Sequence, residues 1–349
     1  MTRHLRFLLA GVLCLLAACS SNDAEVNVAP TRPPQAQAPA AQVGRSLPGR
    51  LVYVRDQKLW IYQGSRENRI SLDWQARDPA WSPDGKYVAF VRREESYSDL
   101  YLLDMQTQKT IQITRNGSRT EPRTQNYVHQ LIWAAKPTWS PEGDEVVFLS
   151  QERPATGPDD QPAIYEFPLR LYRFQTRLAG TREPNNEDML PLGQDGADLV
   201  SPAWSPDGRY LAYVQARRDT TARRIMLYDF STEQAQPFPG TPEGAYDPAW
   251  SPDGNTLAFA VSEGPSTDIW TIEGTSSGTP QRLTRLGRAR APAWSPDGAN
   301  LALVNVGDES TDLYVVSLTR QNGRLEAGTP EQITSGAQID ATGGLSWGR

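Results

Sequence analysis

Few side chains in this sequence have the types and spacings from which chemistry could be built. Histidine is limited to His4 and His129. His4 falls in a leader-like segment, so a multi-histidine metal site is excluded. Gly274-Thr275-Ser276-Ser277-Gly278 has the letters of a nucleophile elbow. It lies between two strands of one repeat, however, and no histidine follows it to serve as base. Asp84, Asp207, Asp253 and Asp297 recur at one repeat position, where turn-building explains them better than a carboxylate cluster. Asp78 and Asp247 each precede a proline. They are the candidate carboxylate pair for glycoside-type chemistry, which needs two carboxyls about 5–9.5 Å apart; the alternative is that both simply start turns. No phosphate-cradling glycine loop opens a helix. No cofactor is expected, and a structural Ca²⁺ in a central channel would have no ligand pattern to support it.

These residues take their meaning from a repeat. Trp-Ser-Pro, an acidic residue and Gly recur from Trp81, Trp139, Trp204, Trp250 and Trp294, with Glu142 as the acid of the second copy. A truncated echo, Leu345-Ser346-Trp347-Gly348-Arg349, ends the sequence, and the successive intervals are 58, 65, 46, 44 and 53 residues. Such a period marks a propeller or a solenoid array. Within the pentad, Ser and Pro suit the first two corners of a type I turn, and Gly supplies the position where φ > 0 is needed. A β-rich run follows each turn, as in Tyr87–Val91 or Leu257–Val261. Alternating third strands come next at Asp99–Leu102, Arg224–Tyr228, Asp268–Ile272 and Asp312–Val316. Short fourth strands close units at Ile111–Thr114, Gln281–Thr284 and Glu331–Thr334. Asp99, Asp268 and Asp312 read as local turn caps, and the pentad tryptophans as bodies packed between sheets.

Leu51–Val54, Lys58–Tyr62 and Asn68–Leu72 read as second, third and fourth strands with no pentad before them. The Leu345–Trp347 echo reads as their missing first strand. The expected fold is therefore all-β: a six-bladed propeller of four-stranded antiparallel blades, one blade closed by strands from both termini.

The pattern resembles the TolB-type six-bladed propeller, whose repeats carry the same Trp-Ser-Pro-Asp-Gly signature, over about residues 50–349. Similar blades form the non-catalytic domain of prolyl-oligopeptidase-like enzymes, but no stretch is left after the repeats for a hydrolase domain. The resemblance implies a folded N-terminal domain ahead of the propeller. Here that region is short and rich in Pro, Ala and Gln, so the TolB role in its envelope complex does not carry over with the fold.

Residues 1–18 read as a lipoprotein signal peptide. Arg3 and Arg6 supply its charge, Phe7–Leu16 its apolar segment, and Leu16-Ala17-Ala18-Cys19 matches a lipobox. Cys19 is the expected lipidation site. With no cysteine beyond it, no intrachain disulfide can form. Residues 19–49 read as a disordered tether and 50–349 as the propeller. A net charge of −6 argues against nucleic acid or an anionic membrane surface as partner. The expected location is extracytoplasmic, anchored by lipid to the cell membrane or the outer membrane.

The pentad turns share one face, so the irregular segments 115–136, 151–169 and 216–224 gather on the other. Residues just ahead of each first strand should ring the channel mouth there. Candidate binding residues are Asp78, Tyr127, His129, Trp133, Lys136, Tyr246, Asp247 and Arg290. The leading expectation is a monomeric, non-enzymatic binding lipoprotein that engages an envelope protein or peptide through this face. The alternative is an enzyme or sensor for a small polar or carbohydrate ligand at the mouth.

Overall fold

In a computed structural model, residues 45–349 are described except 96, 118–131, 152–167, 193–196, 218–221, 277 and 322–323. Cys19, Tyr127 and His129 thus lie outside the described residues. Six antiparallel sheets form the blades. Blade 1 holds β1 (Leu47–Arg55), β2 (Lys58–Gly64) and β3 (Arg66–Arg69); blade 2 holds β4 (Ala76–Trp81), β5 (Tyr87–Arg93), β6 (Ser98–Asp104) and β7 (Thr110–Gln112). Blade 3 holds β8 (Ala134–Trp139), β9 (Glu145–Gln151) and β10 (Leu169–Gln175). Blade 4 holds β11 (Asp198–Trp204), β12 (Tyr210–Ala216), β13 (Arg223–Asp229) and β14 (Gln234–Pro237). Blade 5 holds β15 (Ala245–Trp250), β16 (Thr256–Glu263), β17 (Ser266–Glu273) and β18 (Gln281–Arg282). Blade 6 holds β19 (Ala289–Trp294), β20 (Asn300–Val306), β21 (Thr311–Gln321), β22 (Arg324–Ala327) and β23 (Glu331–Gln332). The last strand, β24 (Leu345–Gly348), returns to blade 1 and pairs with β1, Trp347 opposite Leu51 and Leu345 opposite Tyr53.

The expected closure is therefore present. β1 starts at Leu47, slightly ahead of the boundary at 50, because Arg45 is already pinned: its carbonyl accepts from Tyr62 Oη at 2.7 Å and its guanidinium pairs with Glu331 at 2.8 Å. In blade 3 the fourth strand shrinks to a single bridge between Tyr172 and Met189.

The four pentads with Asp are wired the same way. In the last copy, Ser295 Oγ donates to Asp297 Oδ1 at 2.5 Å and accepts the Asn300 N–H at 2.9 Å, while Gly298 takes φ +70°. The Ser295 hydroxyl, opposed by modest burial, holds the Asp297 carboxyl below its ordinary range. Where Glu142 replaces Asp, Ser140 donates instead to Asp144, at 2.8 Å.

The tryptophans join blades. Indole N–H groups of Trp139, Trp250 and Trp294 donate to the carbonyls of Ala80, Ala203 and Ala249 in the preceding blade, at 3.0, 3.1 and 3.0 Å. Trp347 instead donates within blade 1, to the Pro48 carbonyl of β1 at 2.7 Å. Trp204 departs from the pattern: it bonds its own turn at Gly208 and stacks on Phe230 at 4.8 Å. The apolar clusters follow this geometry, lying between blades rather than within them. One unites Val52 and Leu59 of blade 1 with Trp81, Val88 and Phe90 of blade 2.

Asp99, Asp268 and Asp312 are buried and do more than cap a turn. Asp312 accepts from Thr334 Oγ1 and the Ala337 N–H, both at 2.9 Å, and Thr334 Oγ1 accepts the Leu313 N–H at 3.0 Å. The carboxylate thus locks the start of a third strand to the exit of the fourth. Asp268 with Thr284 and Asp99 with Thr114 repeat the lock. Desolvation pushes the Asp99 carboxyl above its ordinary value despite hydrogen bonds from Asn116 and Thr114.

At the closing seam Gly348 lies flat against Trp81; a Cβ there would sit 2.5 Å from Trp81 Cγ. Gly348→Ala should cost about 1–3 kcal/mol by overpacking, read as a lower urea midpoint with an unchanged slope.

Candidate functional site

Each first strand enters from the face opposite the pentads through a bulge that carries a proline. Pairing skips two residues in β4, β8, β11, β15 and β19, between Arg77/Ala80, Ala135/Thr138, Val200/Ala203, Tyr246/Ala249 and Arg290/Ala293. The skipped pairs are Asp78-Pro79, Lys136-Pro137, Ser201-Pro202, Asp247-Pro248 and Ala291-Pro292. Proline has no N–H for the ladder and belongs at such a bulge. The residue before it takes a left-handed conformation in every case: φ is 52° at Asp78, 48° at Lys136, 50° at Ser201, 51° at Asp247 and 52° at Ala291. Gly344, at φ 93°, completes the ring ahead of β24. Non-glycine residues in this region cost of order 1–3 kcal/mol each, and such strain concentrates at ligand clamps.

These residues enclose a cavity of ≈ 130 Å³ at the channel mouth, lined also by the five prolines, Arg290, Ala341 and Leu345. On one side the buried Asp78 carboxylate faces Lys136 Nζ at 2.9 Å and Arg77 Nε at 3.6 Å. Lys136 Nζ also donates to the Thr342 carbonyl at 2.6 Å. Burial raises the Asp340 carboxyl, but bonds from Thr342 and the charges of Arg77 and Lys136 outweigh this and hold it below its ordinary range. Across the mouth, Asp247 accepts from Ser201 Oγ at 3.2 Å and from Arg290 Nη2 at 3.4 Å.

The predicted residues therefore divide. Asp78, Lys136, Asp247 and Arg290 line one cavity. Arg290 holds the place in its blade that Arg77 and Tyr246 hold in theirs, so Ala291 is the true ring member of blade 6. Tyr246 is buried just behind the ring, with Arg223 and Arg290 stacked on its phenol at 4.8 and 5.4 Å. Trp133 is half-buried beside β8, under Arg93 at 5.8 Å, and does not line the cavity. Sequence reasoning missed Ala291, Ala341, Gly344 and Leu345. Aligning the residue three before each repeat Trp, from Asp78 before Trp81 to Gly344 before Trp347, would have found the ring members. Among the described residues no group of three or more His, Cys, Asp or Glu could hold a metal ion.

Comparison with known proteins bears on the type of fold. Residues 185–288 match the TolB beta propeller domain. The propeller is of the TolB type. Residues 56–152 of this TolB-type propeller also match the N-terminal region of dipeptidyl peptidase IV. The structure of TolB from Acinetobacter baumannii is similar at TM-score 0.60 and 20% identity, over 86% of this chain and 66% of that one. A TolB homolog of Chlorobium chlorochromatii (strain CaD3) is 31% identical over 142 residues, 41% of this chain and 24% of the relative. An uncharacterized peptidase of Bacillus subtilis (strain 168), YuxL, is 34% identical over 177 residues, 44% of this chain and 24% of the relative. The matched region thus spans about a quarter of the length of either curated relative.

The Asp78–Lys136 pair gives a direct test. Lys136 is 30% exposed and Asp78 3%, so removing the amine strands a buried carboxylate at less than the full cost of a dry pair. Lys136→Met should destabilise by about 2–3 kcal/mol, and adding Asp78→Asn should recover most of it. Thermal unfolding of the two variants measures both.

Proposed function

We propose that this protein is a lipid-anchored, extracytoplasmic binding protein that captures an envelope protein or peptide on the propeller face bearing the channel mouth. The observation that carries this is the mouth itself: a strained polar ring around ≈ 130 Å³, room for roughly four waters. Pockets that enclose small-molecule ligands typically run about 300–1,000 Å³. A site this small grips one protruding group of a larger partner rather than surrounding a sugar. Asp78 and Asp247 are each committed to cations on their own side of the mouth, which favours binding over a glycosidase-type acid and base. The second reading given by the sequence is an enzyme or sensor for a small polar or carbohydrate ligand; the partial likeness to peptidases adds a peptide-cleaving enzyme to it.

Anchoring fits the same picture. Arg45 is held at the pentad-side rim by Glu331, Asn300 and Ser317. Among the described residues no helix is long and apolar enough to cross a membrane. The lipobox at Cys19 would supply the anchor, two acyl chains being enough for stable attachment.

A photocrosslinking residue at Thr342, beside the mouth, should give a discrete protein adduct in intact cells. The same residue at Asn255, on the pentad face, should give none. Adducts from Asn255 alone would overturn the face assignment. Cys19→Ser should move the protein from the membrane to the soluble fraction; retention on membranes would refute lipid anchoring.

A further inference from the structure

Two guanidinium groups converge on one ring beside the cavity, and neither is well compensated among the described residues. Arg223, at the start of β13, and Arg290, in β19, both stack on Tyr246 with their central carbons at 4.8 and 5.4 Å from its centroid. Those carbons are therefore at most about 10 Å apart. The position is fixed, since Tyr246 is buried and the Gly244 N–H donates to the Arg223 carbonyl at 2.9 Å.

Neighbouring arginines on this face have close carboxylates. Arg282 meets Asp268 at 2.6 Å, Arg224 meets Glu243 at 3.1 Å, and Arg288 is in contact with Asp308. Arg223 has no ion pair among the described residues. Arg290 has only Asp247 among them, at 3.4 Å, against about 2.7–2.9 Å for a strong charge-assisted bond. That carboxylate is shared with Ser201 Oγ, and the buried Arg290 Nε has no hydrogen-bond partner among the described residues. Arg223 reaches Tyr246 from blade 4 and Arg290 from blade 6, and a guanidinium's planar fork matches a carboxylate in shape and charge.

We propose that Arg223 and Arg290, presented by Tyr246 at the edge of the mouth, form a carboxylate-binding site. It takes the carboxylate of a Glu or Asp residue or that of a polypeptide's C-terminus. The site rests on the binding reading of the mouth given above and specifies the chemistry that face selects. Arg290 contributes from the cavity wall, and Arg223 extends the site outward over blade 4.

Three small probes separate the two sources. N-acetylglutamate α-amide carries only the γ-carboxylate of its Glu, N-acetylalanine only a terminal carboxylate, and N-acetylglutamine α-amide neither. Each is titrated into the ¹⁵N-labelled propeller, reading the arginine Nε–Hε signals assigned with Arg223→Lys and Arg290→Lys. At least one carboxylate probe should shift both signals with millimolar affinity, the neutral probe should not, and Arg223→Gln should weaken binding by roughly 3–10-fold. Whichever carboxylate binds more tightly identifies the source. No shift with either carboxylate, an equal shift with the neutral amide, or a response to inorganic phosphate alone would overturn the assignment. Crosslinking at Thr342 asks whether a protein occupies the mouth at all. Adducts there without carboxylate shifts would sink the carboxylate claim only, whereas shifts without adducts would leave the site and remove the protein partner.

Discussion

The structure depends on radial closure, carried out by an indole N–H reaching into the neighbouring blade. A propeller sheet is hydrophobic on both faces and cannot stand alone; its apolar residues pack only when another sheet lies against each side. In blades 3, 5 and 6 the first strand brings its tryptophan to the seam, and the indole both fills the gap and donates to an alanine carbonyl of the blade before it. A buried N–H left unpaired costs about 1–3 kcal/mol, so the bond fixes how adjacent sheets are placed. Pentad turns add a second ring of contacts, the glycine of one copy against the proline of the previous one, as with Gly208 and Pro141. At the remaining seam no pentad is available. Arg50 takes over there, stacking on Trp81 at 4.2 Å and donating to the carbonyls of Gly85 and Arg349 at 2.7 and 2.8 Å.

Closure has a consequence at the opposite end of the same strands. Innermost strands crowd toward the axis, and the proline there breaks the ladder for two residues before pairing resumes at the strand's start, as at Ala76 and Arg77. The residue before it turns left-handed and delivers its side chain to the mouth. The element that ends each strand at the seam and the element that begins it at the channel are thus two ends of one short segment, Asp78–Trp81 in blade 2. Turn chemistry is nearly invariant from copy to copy, while the ring position varies through Asp, Lys, Ser, Asp, Ala and Gly. Such a division leaves the scaffold uniform and the recognition surface free to change.

Much of this was legible in the sequence, and the failures have physical causes. Spacing of the pentads and the pairing of Trp347 with the β1 region follow from local patterns, because hairpins and closure depend on turn residues and alternation. The ring of pre-proline residues follows from the same register. Trp204 does not: its indole turns to Gly208 and Phe230, and only the shape of the neighbouring blade, where Thr138 stands in the place of alanine, shows this. Arg290 was placed one residue off because its charge drew attention from Ala291, the residue beside the proline. The locking role of Asp312 was invisible because Thr334 is far along the sequence, and the bond exists only once the fourth strand has returned. Ala341, Gly344 and Leu345 line the mouth through tertiary closure, which no local pattern reports.

The mixed charge of the mouth follows from where the cations can find partners. On the blade 2 side Asp78, Asp340 and two carbonyl contacts surround Arg77 and Lys136, so charge there is locally satisfied. On the blade 5 side Asp247 must serve both Ser201 and Arg290, and Arg223 contributes a further positive charge with no anion beside it among the described residues. One rim is electrostatically closed and the other open. Among the described residues, the less compensated cations thus lie on the side of Tyr246, and on the binding reading proposed above an anionic group entering the cavity would meet a directional field.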